Sequence, residues 1–215
     1  MRKDHSVKQL VALAMLAAIA YLLMLFIRIP VVLFLKYEPK DVVITIGGFL
    51  FGPLSAAAIS LVVSLVEMVT ASDTGPIGAL MNFLATCTFA CTAAWIYRSR
   101  RTRTGAILGL LAGSVLTVTV MLLWNWLVTP LYMGVPRAQI EALLVPAFLP
   151  FNLLKAGLNT AFTLLLYKPL VQALHRSGLI TEPPTPRKSK VGLSLFALGL
   201  LVTCILLLLV WQKIL

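Results

Sequence analysis

Leu10-Val-Ala-Leu-Ala-Met-Leu-Ala-Ala-Ile-Ala-Tyr-Leu-Leu-Met-Leu-Phe-Ile27 runs for eighteen residues without a charge. The hydrocarbon layer of a bilayer takes about 20 apolar helical residues, so this stretch predicts a first membrane span. Arg2, Lys3 and Lys8 precede it, as in a secretory leader, and Arg28-Ile-Pro30 follows it. The run is long for a leader's apolar segment and no clear small-residue cleavage site ends it, so the expectation is a retained helix.

Further apolar runs follow the same logic. Val42–Phe51 is too short to cross upright and contains Gly47-Gly48, so it predicts a short or partial second span, closed by a tight turn at Gly52-Pro53. Leu54–Val69, Ile77–Tyr97 and Gly105–Val128 predict spans three to five. A loop carrying Pro136, Arg137 and Glu141 is expected next, then a sixth span over about Ala147–Leu170 with Pro150 in its first turn, where a missing N–H costs least. Val191–Val210 is a seventh uncharged run.

Composition agrees. Of 215 residues 60% are apolar and 12% charged, and the mean hydropathy is +0.98. A soluble domain carries roughly 25% charged residues. Disorder, collagen, a coiled coil and a secreted disulfide scaffold are excluded on these numbers. The net charge of +11 is no sign of nucleic-acid binding, because the basic residues lie in short runs between apolar stretches. Arg2, Lys3 and Lys8, then Arg98, Arg100, Arg101 and Arg103, then Lys168, Arg176, Arg187, Lys188 and Lys190 fall on one side of the threading. The other side holds Arg28, Lys36, Lys40, Arg137 and Lys213, with Glu38, Asp41, Asp73 and Glu141 among them. Basic loops stay in the cytoplasm. The expectation is a multi-pass cell-membrane protein with a cytoplasmic N-terminus and, if the seventh run crosses, an extracellular C-terminus. The three cysteines, Cys87, Cys91 and Cys204, read as small buried hydrophobes.

The sequence has no G-x-x-x-x-G-K-[ST] phosphate loop, no metal-spaced His/Cys/Asp cluster and no Ser/His/Asp set on one side, so an enzyme is not expected. Its chemistry lies in polar residues inside apolar runs, where each needs a partner, a cavity or a ligand. Asn82, Asn125, Asn152, Lys155 and Asn159 fall mostly in the outward half of the threading. Asn152, Lys155 and Asn159, at i, i+3 and i+7, form one helical stripe. Such a stripe suits a pocket wall; interhelical glue and a snorkelling lysine are the plainer alternatives. Glu67 could pair with Lys155 or reach the interface. Trp124, Trp126, Tyr132, Phe148 and Phe151 sit at the same level, either as an interfacial belt or as a flat wall for a planar ring. Ala14 and Ala18 form a small-residue ridge on the first span, open to internal packing or to a partner subunit, whereas Gly105, Gly109 and Gly113 read as internal packing.

These residues resemble a family, the substrate-binding S components of energy-coupling factor (ECF) vitamin transporters, and within it the riboflavin-binding branch. The resemblance covers about residues 8–175. It rests on Leu35-Lys-Tyr-Glu-Pro-Lys-Asp41, Gly47-Gly-Phe-Leu-Phe-Gly-Pro53, Thr74-Gly-Pro-Ile-Gly-Ala-Leu-Met-Asn-Phe83, Thr129-Pro-Leu-Tyr-Met-Gly134 and Pro150-Phe-Asn-Leu-Leu-Lys155. It implies an all-α integral membrane fold: a six-helix S-component bundle over residues 1–175, with a pocket open to the outside. The stretch from about Arg28 to Lys40 would fold over the ligand. The positions matching the family's site are Lys36, Tyr37, Glu38, Asp41, Gly78, Met81, Asn82, Asn125, Tyr132, Asn152 and Lys155. Ala14 and Ala18 match its docking motif for a transmembrane coupling subunit, which works with two ABC-type ATPase subunits. Riboflavin would be the transported ligand, and no cofactor is implied.

The chain departs from that family in its tail. A basic, Pro-rich cytoplasmic linker is expected over residues 176–190 and an additional helix over 191–215. The rival functions are an S component for another vitamin, a membrane enzyme of lipid metabolism and a structural subunit without a ligand. An enzyme of that kind would need clustered carboxylates, and Glu38, Asp41, Glu67, Asp73 and Glu141 are scattered along the sequence. An uncharged flavin suits aromatic cover for its rings and amides for its polar edge and tail.

Overall fold

The computed structural model describes residues 2–71, 75–179 and 191–211. Asp73, Thr74 of the third motif, most of the expected linker (180–190) and Lys213 lie outside the described residues.

Helix α1 spans Arg2–Phe26. A hairpin of β1 (Ile29–Val32) and β2 (Leu35–Tyr37) follows, then α2 (Lys40–Phe51), α3 (Pro53–Thr70), α4 (Gly75–Arg100) and α5 (Arg103–Leu127). The short helices α6 (Thr129–Met133) and α7 (Arg137–Leu143) lead through a π-helical turn, Leu144–Phe148, into α8 (Leu149–Arg176), and α9 covers Val191–Trp211. Among the described residues, five helical stretches are long and apolar enough to cross a membrane: Val7–Phe26, Pro53–Thr70, Gly75–Arg100, Arg103–Leu127 and Arg137–Arg176. This is an all-α membrane protein with one small hairpin.

On α1 the buried positions Ala12, Leu16 and Ala20 recur every four residues and meet α2 and α3. Ala14 and Ala18 lie on the opposite, exposed face. Apolar positions at that period place one stripe on one face.

The short second span becomes the centre of the bundle. Helix α2 has twelve residues, nine of them buried from Lys40 to Gly48, and at 1.5 Å per residue it reaches only about 18 Å. It touches α1, α3, α4 and α8. Glycine is needed on it: a Cβ at Gly48 would stand 2.9 Å from Ala94 Cβ and 3.0 Å from Ala56 Cβ. Helices α4 and α5 cross just as closely, since a Cβ at Gly109 would lie 2.6 Å from the Ala93 carbonyl oxygen and one at Gly113 2.7 Å from that of Phe89. The α5 glycines are therefore internal packing.

Two stretches correct the sequence expectation. Between α5 and the sixth span the chain is largely helical where a loop is expected, and the sixth span starts two residues later and ends six residues later than Ala147–Leu170. Pro146 lies inside the π-helical turn. Proline cannot donate to the preceding turn and its ring crowds it, so the helix widens there instead of continuing regularly. Pro150 does lie in the first turn of α8. In the stretch from Arg28 to Lys40, Ile29 pairs with Tyr37, Pro30 with Lys36 and Val32 with Leu35, with an irregularity between Pro30 and Val32. Leu33 makes the turn in the left-handed region at φ 50°. Proline in β1 is tolerated because this is a two-stranded edge.

Candidate functional site

A cavity of about 110 Å³ lies under the hairpin, walled by the hairpin and by α2, α3, α4, α5 and α8. Small-molecule sites commonly enclose roughly 300–1,000 Å³, so the closed hairpin leaves a narrow space. Its walls include Met81, Met121, Lys36 and Lys155, long side chains with several rotatable bonds that can move aside.

Helix α8 runs along one wall. Asn152, Lys155, Ala156 and Asn159 all line the cavity, so the polar stripe does face a pocket. Asn152 and Asn159 are two helical turns apart, about 10 Å, and set two levels of the wall. Asn82 and Phe89 on α4 and Asn125 and Thr117 on α5 join them in the wall. The amides are held by their own helices. Asn125 Nδ2 donates to the Met121 carbonyl at 2.7 Å, and its Oδ1 accepts from Thr129 Oγ1 at 3.0 Å. Asn152 Nδ2 donates to the Phe148 carbonyl at 2.8 Å. Each NH₂ carries a second hydrogen, so both side chains can be fixed and still donate to a ligand.

Six charged groups form two balanced clusters. Glu67 Oε1 accepts from Arg28 at 2.8 Å and from Asn82 Nδ2 at 2.8 Å. Its Oε2 pairs with Lys40. Glu38 bridges the same two cations, meeting Arg28 Nε at 2.7 Å and Lys40 Nζ at 2.8 Å. Arg28 also donates to the Ala71 carbonyl at 2.6 Å. In the second cluster Asp41 accepts from Thr86 Oγ1 at 2.7 Å and from Asn159 Nδ2 at 3.0 Å, and faces Lys155 Nζ at 3.4 Å. Burial tends to raise the Glu38 carboxyl's pKa, but Lys40, Lys155 and Arg28 outweigh it and hold the group below its ordinary range. Three cations thus face three carboxylates, which is how buried charge is tolerated.

This arrangement settles the partner of Glu67. It pairs with Arg28 and Lys40, and Lys155 goes to Asp41 instead. The reason is connectivity: Glu67 on α3 faces the two ends of the hairpin segment, whereas Asp41 in the first turn of α2 faces α8.

The sequence candidates fall into two groups. Lys36, Glu38, Asp41, Met81, Asn82, Asn125, Asn152 and Lys155 line the cavity. Tyr37, Gly78 and Tyr132 lie outside its wall. Tyr37 packs with Leu154, Leu158, Cys204 and Leu208. Gly78 is buried in α4. Tyr132 stands edge-on to Phe34, with ring centroids 5.4 Å apart. The aromatic wall is made by Phe34, Phe89 and Phe151. Trp126 lies outside the wall: its Nε1 donates to Glu141 at 2.9 Å and the Arg137 guanidinium stands 5.1 Å from its ring. Arg28, Phe34, Phe89 and Thr117 join the wall without having been singled out for it. Arg28 and Phe34 fall inside the covering stretch, which is a usable signal; Phe89 and Thr117 carry none that distinguishes them from ordinary span residues.

A helical membrane bundle around a capped cavity with placed amides defines a class, integral membrane proteins that hold a small solute. The comparisons specify it further. The family model for the ECF transporter, substrate-specific component, matches residues 8–167. The chain is 30% identical over 178 residues to the riboflavin transporter RibU of Staphylococcus aureus (strain TCH60), a match covering 79% of this chain and 93% of that one. It is 28% identical over 176 residues to the riboflavin transporter FmnP of Bacillus subtilis (strain 168), covering 75% and 92%. The solved structure of the S component of a bacterial ECF transporter superimposes with a TM-score of 0.69 at 29% identity, over 79% of this chain and 98% of that one. This chain belongs to the family of ECF transporter substrate-specific components, which are transporter subunits and not enzymes.

Proposed function

We propose that this chain is the riboflavin-binding S component of an ECF-type importer, capturing the vitamin outside and releasing it inside when coupled to partner ATPases. The observation that carries the reading is the cavity itself: Asn82, Asn125, Asn152 and Lys155 converge with Phe34, Phe89 and Phe151 on one capped space. The named relatives are riboflavin transporters.

The chemistry fits an uncharged ligand. Six of the charged groups around the cavity are matched in sign, so those six leave no net charge for a solute to balance; Lys36 also lines the wall. Phenyl rings can cover a planar heterocycle. The spare amide hydrogens of Asn125 and Asn152 can donate to ring carbonyls or ribityl hydroxyls. Asn159 Oδ1 and Thr117 Oγ1, buried in the wall without a hydrogen-bond partner among the described residues, accept where a hydroxylated tail donates. Lys36, Tyr37, Glu38, Asp41, Gly78, Met81, Asn82, Asn125, Tyr132, Asn152 and Lys155 remain the assigned site, with Tyr37, Gly78 and Tyr132 acting through packing around the wall.

The positive-inside pattern places the N-terminus in the cytoplasm and the hairpin outside. Residues 1–175 are the substrate-binding unit and 176–190 a cytoplasmic linker; the tail, 191–215, carries a further membrane helix in α9, Val191–Trp211, whose crossing puts the C-terminus outside. The exposed Ala14 and Ala18 face of α1 docks the transmembrane coupling subunit, through which two ABC-type ATPases act. The test is a tryptophan-fluorescence titration of the purified chain with riboflavin and FMN. Saturable quenching by riboflavin is expected, weakened by about 1–3 kcal/mol in Asn152→Ala or Lys155→Ala, the cost of an unmet buried partner. No quenching by riboflavin, or wild-type affinity in both variants, would count against the site.

A further inference from the structure

Helix α9 lies beyond residues 8–167, the stretch the family model matches. It is nevertheless packed into the molecule. Ala197, Cys204 and Leu208 are buried along one stripe, at spacings that keep to one helix face. That stripe lies on α8. The approach depends on Gly157, where a Cβ would stand 2.8 Å from Cys204 Sγ. Phe196, Val202, Leu206 and Val210 point away, exposed, as lipid-facing residues do.

Cys204 and Leu208 belong to a cluster that extends beyond α8. They form one apolar cluster with Leu154 and Leu158 of α8 and with Tyr37 of β2, and Ile29 and Val31 of β1 pack at its margin. Tyr37 is only 3% exposed although it belongs to the hairpin that caps the cavity. Leu35 and Lys36 line the cavity, while Tyr37 packs into the cluster behind them. The next residue, Glu38, is tied to Arg28 and Lys40. The cavity face of the cap is therefore held by ion pairs, and its back face by α9.

We infer that α9 is a positioning element of the ligand site: it clamps Tyr37 against α8, holds the hairpin closed and so prolongs retention of the bound ligand. The retention part rests on the riboflavin reading; the clamp does not.

The full-length chain in nanodiscs tests both. Hydrogen exchange of the ligand-free protein is followed over residues 29–37 in Leu208→Ala, in the milder Cys204→Ala, and in Leu206→Ala, which alters only the outer face of α9. Hairpin amides are expected to exchange at least about threefold faster in Leu208→Ala, since they report local opening, with a smaller rise in Cys204→Ala and none in Leu206→Ala. The hairpin effects of Tyr37→Ala and Leu208→Ala are expected to be non-additive, because the two residues belong to one apolar cluster. With riboflavin, Leu208→Ala is expected to speed dissociation with little change in association, as most interface changes do. Unchanged hairpin exchange in both Leu208→Ala and Cys204→Ala, or simple additivity with Tyr37→Ala, overturns the clamp. If the wild-type chain binds no riboflavin, the ligand reading fails while the exchange result still decides the clamp.

Discussion

Lys155 Nζ on α8 stands 3.4 Å from Asp41 Oδ2 in the first turn of α2, in the wall of the cavity. Asp41 also holds Asn159, one turn further along α8, and Thr86 on α4. One carboxylate thus sets the position of the central helix against two walls, and fixes which atom of the Asn159 amide faces away from it. An ionised carboxylate only accepts, so Nδ2 must point to Asp41 and Oδ1 elsewhere.

The pair is expected to behave as a unit. Asp41→Asn leaves Lys155 without its counterion, and Lys155→Met leaves Asp41 with neutral donors only. Removing one partner of a buried pair costs about 3–5 kcal/mol, while removing both is often close to neutral. The double variant Asp41→Asn/Lys155→Met is therefore expected to unfold at a higher temperature than Asp41→Asn alone. Thermal unfolding in detergent checks this, and a double variant less stable than Asp41→Asn alone would refute it.

Glu67 is the hub of the other cluster, accepting from Arg28, Asn82 and Lys40. Glu67→Gln keeps the shape but removes the charge that Arg28 and Lys40 face, two cations that only donate and cannot accept from the new NH₂. The loss expected is about 3 kcal/mol or more of stability, as for a broken buried network. Because Arg28 and Lys40 flank the hairpin, the same change is expected to weaken riboflavin binding. The measurements are chemical or thermal unfolding and the quenching titration; a wild-type result in both would remove Glu67 from the cap's support.

The spans and the α8 stripe were legible because each leaves a periodic or compositional trace. Asn152, Lys155 and Asn159 at i, i+3 and i+7 can only share a face, and that face proved to be a cavity wall. The pairing of Lys155 with Asp41 was not legible, since it joins residues 114 positions apart and depends on how α2 is threaded. Nor was the hairpin. Ile29–Tyr37 is apolar except for Lys36 and is interrupted by Pro30, and its pairing is set by what it covers as well as by its own alternation. Tyr37 illustrates the limit: motif position puts it in the site, and its packing turns it away from the cavity, toward α9.

Acid should weaken the cap in a defined window. The folded-state pKa of Glu38 is held down by Lys40, Lys155 and Arg28 despite burial. A group whose pKa is lowered on folding contributes stability that is complete above its unfolded value, about 4.3 for Glu, and that is lost as pH falls below that value through the folded one. Glu38→Gln is therefore expected to reduce the slope of unfolding temperature against pH below about pH 4.3 and to leave the slope near neutrality unchanged. Scans of both proteins from neutral pH down to pH 3 check this, and parallel acid limbs would contradict it.

The close α4–α5 crossing offers the sharpest test of the packing. At Gly113 an added Cβ would meet the Phe89 carbonyl oxygen at 2.7 Å, and that oxygen is backbone, which cannot rotate aside as a side chain would. Gly113→Ala must therefore push the two helices apart. Overpacking of this kind costs about 1–3 kcal/mol, against the roughly 0.5–1 kcal/mol that glycine-to-alanine gains in an open helix position. Phe89 also lines the cavity, so the displacement reaches the ligand wall as well. Gly113→Ala is expected to lower both the unfolding temperature and the affinity for riboflavin. Gly199→Ala, on α9 with nothing within 4 Å of the added atom, is expected to lower neither. Equal behaviour of the two variants would show that α4 and α5 do not cross at that distance in the membrane.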